Sequence, residues 1–120
     1  MRSVNVPGDP AFARFGFDGA REHGGLLMTS GQIGAVDGPM AAQISACLDA
    51  VESVLAQADY RLSDVMRLGI LTTDLDEFVR QWDVIRSRFA PGPVPPNTLT
   101  PLVRLANPRS LVEIEATAFR

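Results

Sequence analysis

Lysine is absent from this chain: all 11 basic residues are arginine. A protein amine for Schiff-base or pyridoxal-phosphate chemistry is therefore excluded. His23 is the only histidine and Cys47 the only cysteine. A zinc or iron centre needs several such ligands, and a Ser-His-Asp or Cys-His system would have to use that one imidazole, so neither is expected. A single thiol also rules out an internal disulfide. No GxGxxG or Walker-type glycine loop occurs, so no nucleotide is suggested and no cofactor is expected. No apolar run approaches the roughly 18 residues that a membrane span needs. Met1-Arg2-Ser3-Val4-Asn5-Val6 contains no apolar signal segment, so a cytoplasmic location is expected, with no membrane partner. The arginines are scattered singly and the net charge is −3, which argues against a nucleic-acid partner.

What remains is ordinary globular material: 120 residues, 46% apolar and 21% charged. A chain of this length buries roughly two thirds of its unfolded surface, enough for a core, and one domain over residues 1–120 is expected. After a short strand at Ser3 to Val6, Pro7-Gly8-Asp9-Pro10 reads as turn material. Phe15 to Glu22 alternates as a strand would, with Phe17 and Arg21 on one face. His23-Gly24-Gly25 reads as a hairpin turn into a strand at Leu26 to Ser30. Asp37-Gly38-Pro39 is a helix start. The series Ile44, Cys47, Leu48, Val51, Val54, Leu55 and Ala58 then recurs at spacings of three and four, which predicts one long amphipathic helix. Cys47 on that stripe reads as a core filler.

Val65 to Thr73, with Gly69 inside it, reads as a central strand. Asp74-Leu75-Asp76-Glu77 has the form of a capping box, in which Asp74 accepts from the amide of Glu77 and the Glu77 side chain reaches back. A second helix carries Leu75, Phe78, Val79, Trp82, Ile85 and Phe89 on its buried stripe and stops before Pro91-Gly92-Pro93. The order strand, strand, helix, strand, helix, strand, strand predicts an α+β layer: one mixed sheet with both helices packed on one face. The other face, which is fairly apolar, is expected to be covered by oligomerisation.

The last quarter carries the chemistry. Two β-rich runs, Pro95 to Leu105 and Leu111 to Phe119, flank the turn Ala106-Asn107-Pro108-Arg109-Ser110 and read as a strand pair. In the second run Val112, Ile114, Ala116 and Ala118 point one way, while Glu113 and Glu115 share the opposite face. Residues two apart on a strand lie roughly 6.5–7 Å apart, near enough for one carboxylate to raise the pKa of the other if the face is enclosed. This is the one acid/base constellation in the chain.

Met28-Thr29-Ser30-Gly31-Gln32-Ile33, Thr72-Thr73-Asp74-Leu75-Asp76-Glu77-Phe78 and Leu111-Val112-Glu113-Ile114-Glu115-Ala116 together resemble the Rid (YjgF) family of reactive-intermediate deaminases. The resemblance spans residues 15–119. It implies a chorismate-mutase-like α+β fold and a homotrimer whose sheets form a central barrel with the helices outside. It further implies small-molecule clefts at the subunit interfaces, and hydrolysis of imines or enamines such as 2-aminoacrylate without metal or cofactor. By that resemblance Glu113 is the carboxylate that handles water. Ser30 and the backbone around Gly31 lie at the cleft mouth, and Phe17 stands where a tyrosine is usual.

Asn97 is the principal departure, because it stands where that branch has an arginine that grips the substrate carboxylate by a two-pronged contact. An amide offers only neutral hydrogen bonds, so carboxylate affinity at that point falls by about 1–2 kcal/mol. Pro101 removes a ladder donor and implies an edge strand or bulge. Arg104 or Arg21 is a candidate replacement anchor. Two readings follow: a deaminase of a labile C–N compound other than 2-aminoacrylate, or a non-catalytic trimer that binds a metabolite or a partner protein.

Overall fold

The computed structural model describes residues 1–34 and 37–120. Among them six strands form one mixed sheet: β1 Arg2–Val4, β2 Ala20–His23, β3 Leu26–Thr29, β4 Val65–Thr72, β5 Asn97–Pro101 and β6 Val112–Phe119, in the spatial order β1-β2-β3-β6-β4-β5. All neighbours run antiparallel except β4 and β5, which are parallel. The α-helices are α1 Pro10–Phe15, α2 Met40–Ala56, α3 Leu75–Arg80 and α4 Asp83–Phe89, and a 3-10 turn spans Leu62–Asp64. This is the α+β mixed sheet that the order of elements predicts.

The sheet and α2 meet along complementary periodicities. Ile44, Cys47, Leu48, Val51, Val54 and Leu55 of α2 are buried against the sheet, where Val112, Ile114, Ala116 and Ala118 of β6 form the matching face. Each large side chain so buried contributes about 1.5–3 kcal/mol relative to exposure. Phe78 from α3 and Ile85 from α4 complete the same core, and Trp82 packs edge-on to Phe78 at 5.9 Å. Between β2 and β3 the turn is the expected one: Gly24 and Gly25 sit at φ 60 and 88, the left-handed pair of a two-residue hairpin.

Several expectations are corrected. Residues 10–15, read as turn and strand, form α1. Asp9 caps it by accepting from the Ala11 amide at 2.9 Å, Pro10 opens it, and Gly16 closes it at φ 74. The expected strand therefore starts only at Ala20, and Phe17 lies before it. The second helix is two, α3 and α4, divided at Gln81-Trp82. Asp74 does cap α3, but the Glu77 carboxylate turns instead to Arg80 at 2.8 Å and Gln81 at 3.1 Å, so only half of the capping box forms.

The last two strands do not pair with each other. The segment before β6 carries the chain across the sheet, so β6 inserts between β3 and β4, while β5 lies parallel to β4 at the edge. Pro101 is thus on an edge strand, where its missing N–H is tolerated.

The start of β6 is fixed by a buried glutamine on α2. Leu111 N donates to Gln43 Oε1 at 2.8 Å, and Gln43 Nε2 donates to the carbonyls of Gly38 at 3.0 Å and Arg109 at 3.4 Å. From β4, Thr72 Oγ1 and Thr73 N donate to the Leu111 carbonyl at 2.9 and 3.0 Å. Gln43→Met keeps the volume but leaves the Leu111 amide unpartnered. It is expected to lower unfolding free energy by about 1–3 kcal/mol in urea titrations.

Candidate functional site

On β6 the residues opposite the core face are Glu113, half-buried, and Glu115, exposed, followed by Thr117 and Phe119. β4 divides in the same way: Leu68, Ile70 and Thr72 face the helices, and Arg67, Gly69 and Leu71 face the uncovered side. Gly69 lies directly opposite Glu115, and Leu71 opposite Glu113. On the other flank of β4, Thr98 is the partner of Gly69, and Thr100 that of Leu71. Together with Gly31 these residues line a cleft of about 240 Å³.

Two glycines shape its floor. A Cβ on Gly31 would collide with the Glu113 carboxylate, and one on Gly69 would lie 2.6 Å from Glu115 Oε1. Each carboxylate therefore rests against bare backbone, and only glycine allows that approach. Gly31 reaches this place because the ladder between β3 and β6 is interrupted. Thr29 Oγ1 replaces a backbone carbonyl as acceptor for Ala116 N at 2.9 Å. Ser30 N turns away to the Gly19 carbonyl at 2.8 Å, and the pairing resumes where Gln32 and Ile114 exchange bonds of 2.8 and 3.1 Å.

Burial raises the pKa of Glu113 above the ordinary carboxylate value, and the negative charge of Glu115 adds to the effect. Beneath the same strand Cys47 donates to the Val112 carbonyl at 3.5 Å, and burial pushes its thiol up to about 11, which suits the core filler expected and not a nucleophile. A carboxyl group that holds its proton more tightly than usual beside open space can both accept and return a proton.

Glu113 and Gly31 are the sequence candidates that share this cleft. Phe17 and Ser30 line a separate concavity of about 420 Å³ on the β2–β3 side, with Arg21 and Met28. There Ser30 Oγ donates to the Asp18 carbonyl at 2.7 Å, and Phe17 stacks on Phe15 at 5.9 Å. Arg21 is paired with Asp18 at 2.9 Å. That carboxylate is held down to about 2 by hydrogen bonds from Asn5, Arg21 and Ser3.

Asn97 is register partner to Leu68 and so has the parity of the core face; its amide folds back to donate to the Pro95 carbonyl at 3.1 Å. Arg104 is exposed after β5, outside both concavities, with Nε donating to the Leu105 carbonyl at 3.2 Å. The cleft residues missed in the sequence are Arg67, Gly69, Thr98 and Thr100. Strand alternation through Val65 to Thr73, with a glycine in its middle, was the signal for the first two.

The family profile described as Endoribonuclease L-PSP matches residues 10–120. The chain belongs to the YjgF/UK114 family. Rv2704 of Mycobacterium tuberculosis, described as a member of the YjgF/YER057c/UK114 family, is 30% identical, with a TM-score of 0.87 over 100% of both chains. The YjgF gene product of E. coli superposes with a TM-score of 0.90 at 24% identity, covering 100% of this chain and 99% of that one. RidA of the Antarctic bacterium Psychrobacter gives 0.88 at 21% identity over 100% of both chains. A comparison with curated proteins finds no match. Among the described residues no helix is long and apolar enough to cross a membrane.

Because the folded pKa of Glu113 is raised, its contribution to stability is fully present below the ordinary carboxylate value of 4.5 and is lost as pH rises through the folded value. Glu113→Gln removes that penalty. Thermal melts should therefore show the variant more stable than the parent at pH 7, with the difference closing below about pH 4.

Proposed function

We propose that this YjgF/UK114-family chain is a hydrolytic deaminase of an imine, enamine or related labile C–N compound other than 2-aminoacrylate. Residues 1–120 act in it as one Rid-like domain. The observation that carries the proposal is Glu113: a carboxylate with a raised pKa, lying over Gly31 in an open cleft whose far side carries Thr98 and Thr100. Hydrolysis of an imine asks for little more. Water adds to the C=N carbon, one of its protons passes through Glu113 to the nitrogen, and the C–N bond of the resulting carbinolamine breaks to release ammonia and leave an oxo compound. Positioning and proton transfer supply the acceleration, with no metal or cofactor called for.

The working unit is proposed to be a homotrimer joined through the uncovered sheet face, where Met28 and Phe119 expose more than half of their surface. In that unit Phe17, Ser30, Asn97 and Arg104 would reach a small-molecule ligand only across a subunit interface, since within one chain they lie outside the Glu113 cleft. RNA is not proposed as substrate: a cleft with two carboxylates and a single guanidinium repels a phosphate backbone. One observation favours the second reading, a non-catalytic metabolite-binding or partner-binding trimer: the Asn97 amide is already engaged with the Pro95 carbonyl.

The two readings separate when purified protein is supplied with enzymatically generated 2-aminoacrylate and with bulkier imines, and ammonia release is followed. The deaminase reading expects turnover of a bulkier imine, and Glu113→Gln should reduce it about 10²-fold or more. No acceleration over buffer with any imine would leave the binding reading standing. Asn97→Arg is expected to gain activity on 2-aminoacrylate, as a rise in kcat/KM. A monomer in sedimentation would overturn the interface arrangement.

A further inference from the structure

Arg67 stands apart from the other arginines by position. Its guanidinium lines the same cleft as Glu113, and Nη2 donates to Thr98 Oγ1 at 2.6 Å. Among the described residues Arg67 forms no ion pair, whereas Arg21 is neutralised by Asp18 and Arg88 by Asp49 and Glu52. The carboxylate nearest to it by register, Glu115, is drawn down onto Gly69 and leaves the space above the strand open. A planar guanidinium that has spent one N–H on a threonine hydroxyl keeps a free edge, and two parallel N–H groups match the two oxygens of a carboxylate.

The cleft is therefore polarised across the strands. Glu113 leans toward β3, over Gly31, and Arg67 leans toward β5, onto Thr98. β6 and β4 lie between, and Arg67 stands four residues along β4 from Leu71, the register partner of Glu113, so the two ends are offset both across and along the strands. We infer that Arg67 is the anion anchor of this cleft: the ligand carries a carboxylate, held by Arg67 with the Thr98 hydroxyl on the β5 side, and presents its C–N carbon to Glu113 on the β3 side. The cleft thus keeps a carboxylate clamp although Asn97 has none to offer. That clamp sits on an interior strand of the same subunit, and it orients an α-imino acid differently from a clamp on the edge strand. For the identity of the reacting end the inference rests on the deaminase reading.

A hydrolysed α-imino acid leaves a 2-oxo acid, which binds without reacting further and so reports on the anchor alone. The probes are 2-oxovalerate and 2-oxoglutarate, with 2-pentanone as the neutral counterpart of the first, titrated calorimetrically into the assembled protein. At least one oxo acid is expected to bind, and more tightly than the ketone. Arg67→Met should weaken that binding about tenfold or more while leaving the ketone unaffected, and Arg67→Lys should fall between. Arg67 is exposed in the single chain and lies on the face proposed to join the trimer, so unchanged melting curves and an unchanged sedimentation coefficient accompany a valid comparison of these variants.

Binding unchanged in Arg67→Met, binding lost instead in Arg21→Met or Arg104→Met, or no oxo acid bound by the parent protein would each overturn the anchor. The deaminase reading fails separately: oxo-acid binding that depends on Arg67 without ammonia release from any imine keeps the anchor and removes the reaction, and ammonia release with no dependence of binding on Arg67 does the reverse.

Discussion

The structure depends on one constraint, the double duty of β6. Its backbone is paired on both sides, with β3 and β4, and its side chains must therefore divide strictly between two faces. Val112, Ile114, Ala116 and Ala118 go under α2, and that burial leaves Glu113 and Glu115 no choice but the other face. A slip of one residue would put two carboxylates into the core at a cost of several kcal/mol each. The position of Glu113 is thus set by the same force that holds the sheet together. Gln43, which ties Leu111 to α2, holds the chain at the residue just before the strand begins.

Charge in the cleft is managed with backbone more than with side chains. Both carboxylates lie against glycines, so they approach the sheet more closely than any substituted residue would permit. Glu113 gains its raised pKa from that enclosure first and from Glu115 second. Arg67 supplies positive charge on the far side, balanced by a hydroxyl and not by an acid. The arrangement keeps the Glu113 carboxylate and the Arg67 guanidinium on opposite sides of the cleft, so neither neutralises the other.

Membership of the YjgF/UK114 family accounts for the scaffold, and the partners of individual side chains decide what lines its cleft. Asn97 is uncharged, and its amide is turned to its own backbone. Arg21 and Arg104, which look like substitutes in the sequence, are spent on Asp18 and on a main-chain carbonyl. Sequence distance gives no access to this, because an arginine's partner is decided by which strands become neighbours. The inserted position of β6 brings the β4 guanidinium, and not the one after β5, to the carboxylates.

The sequence by itself determined the class of fold, the amphipathic α2, the Gly24-Gly25 hairpin and the two faces of β6, because each follows from a local period or turn chemistry that neighbours in the chain express. It also determined that Glu113 would share an exposed face with Glu115. Local pattern misread residues 10–19, where Asp9-Pro10 serves equally as a turn and as a helix start, and it paired β5 with β6 because a short turn separates them. Only the tertiary structure decided that β6 lies between β3 and β4, that Gly31 and Gly69 cradle the carboxylates, and that Arg67 joins them. Those are contacts between residues far apart in the chain, and their free energy comes from burial and register that no local window contains.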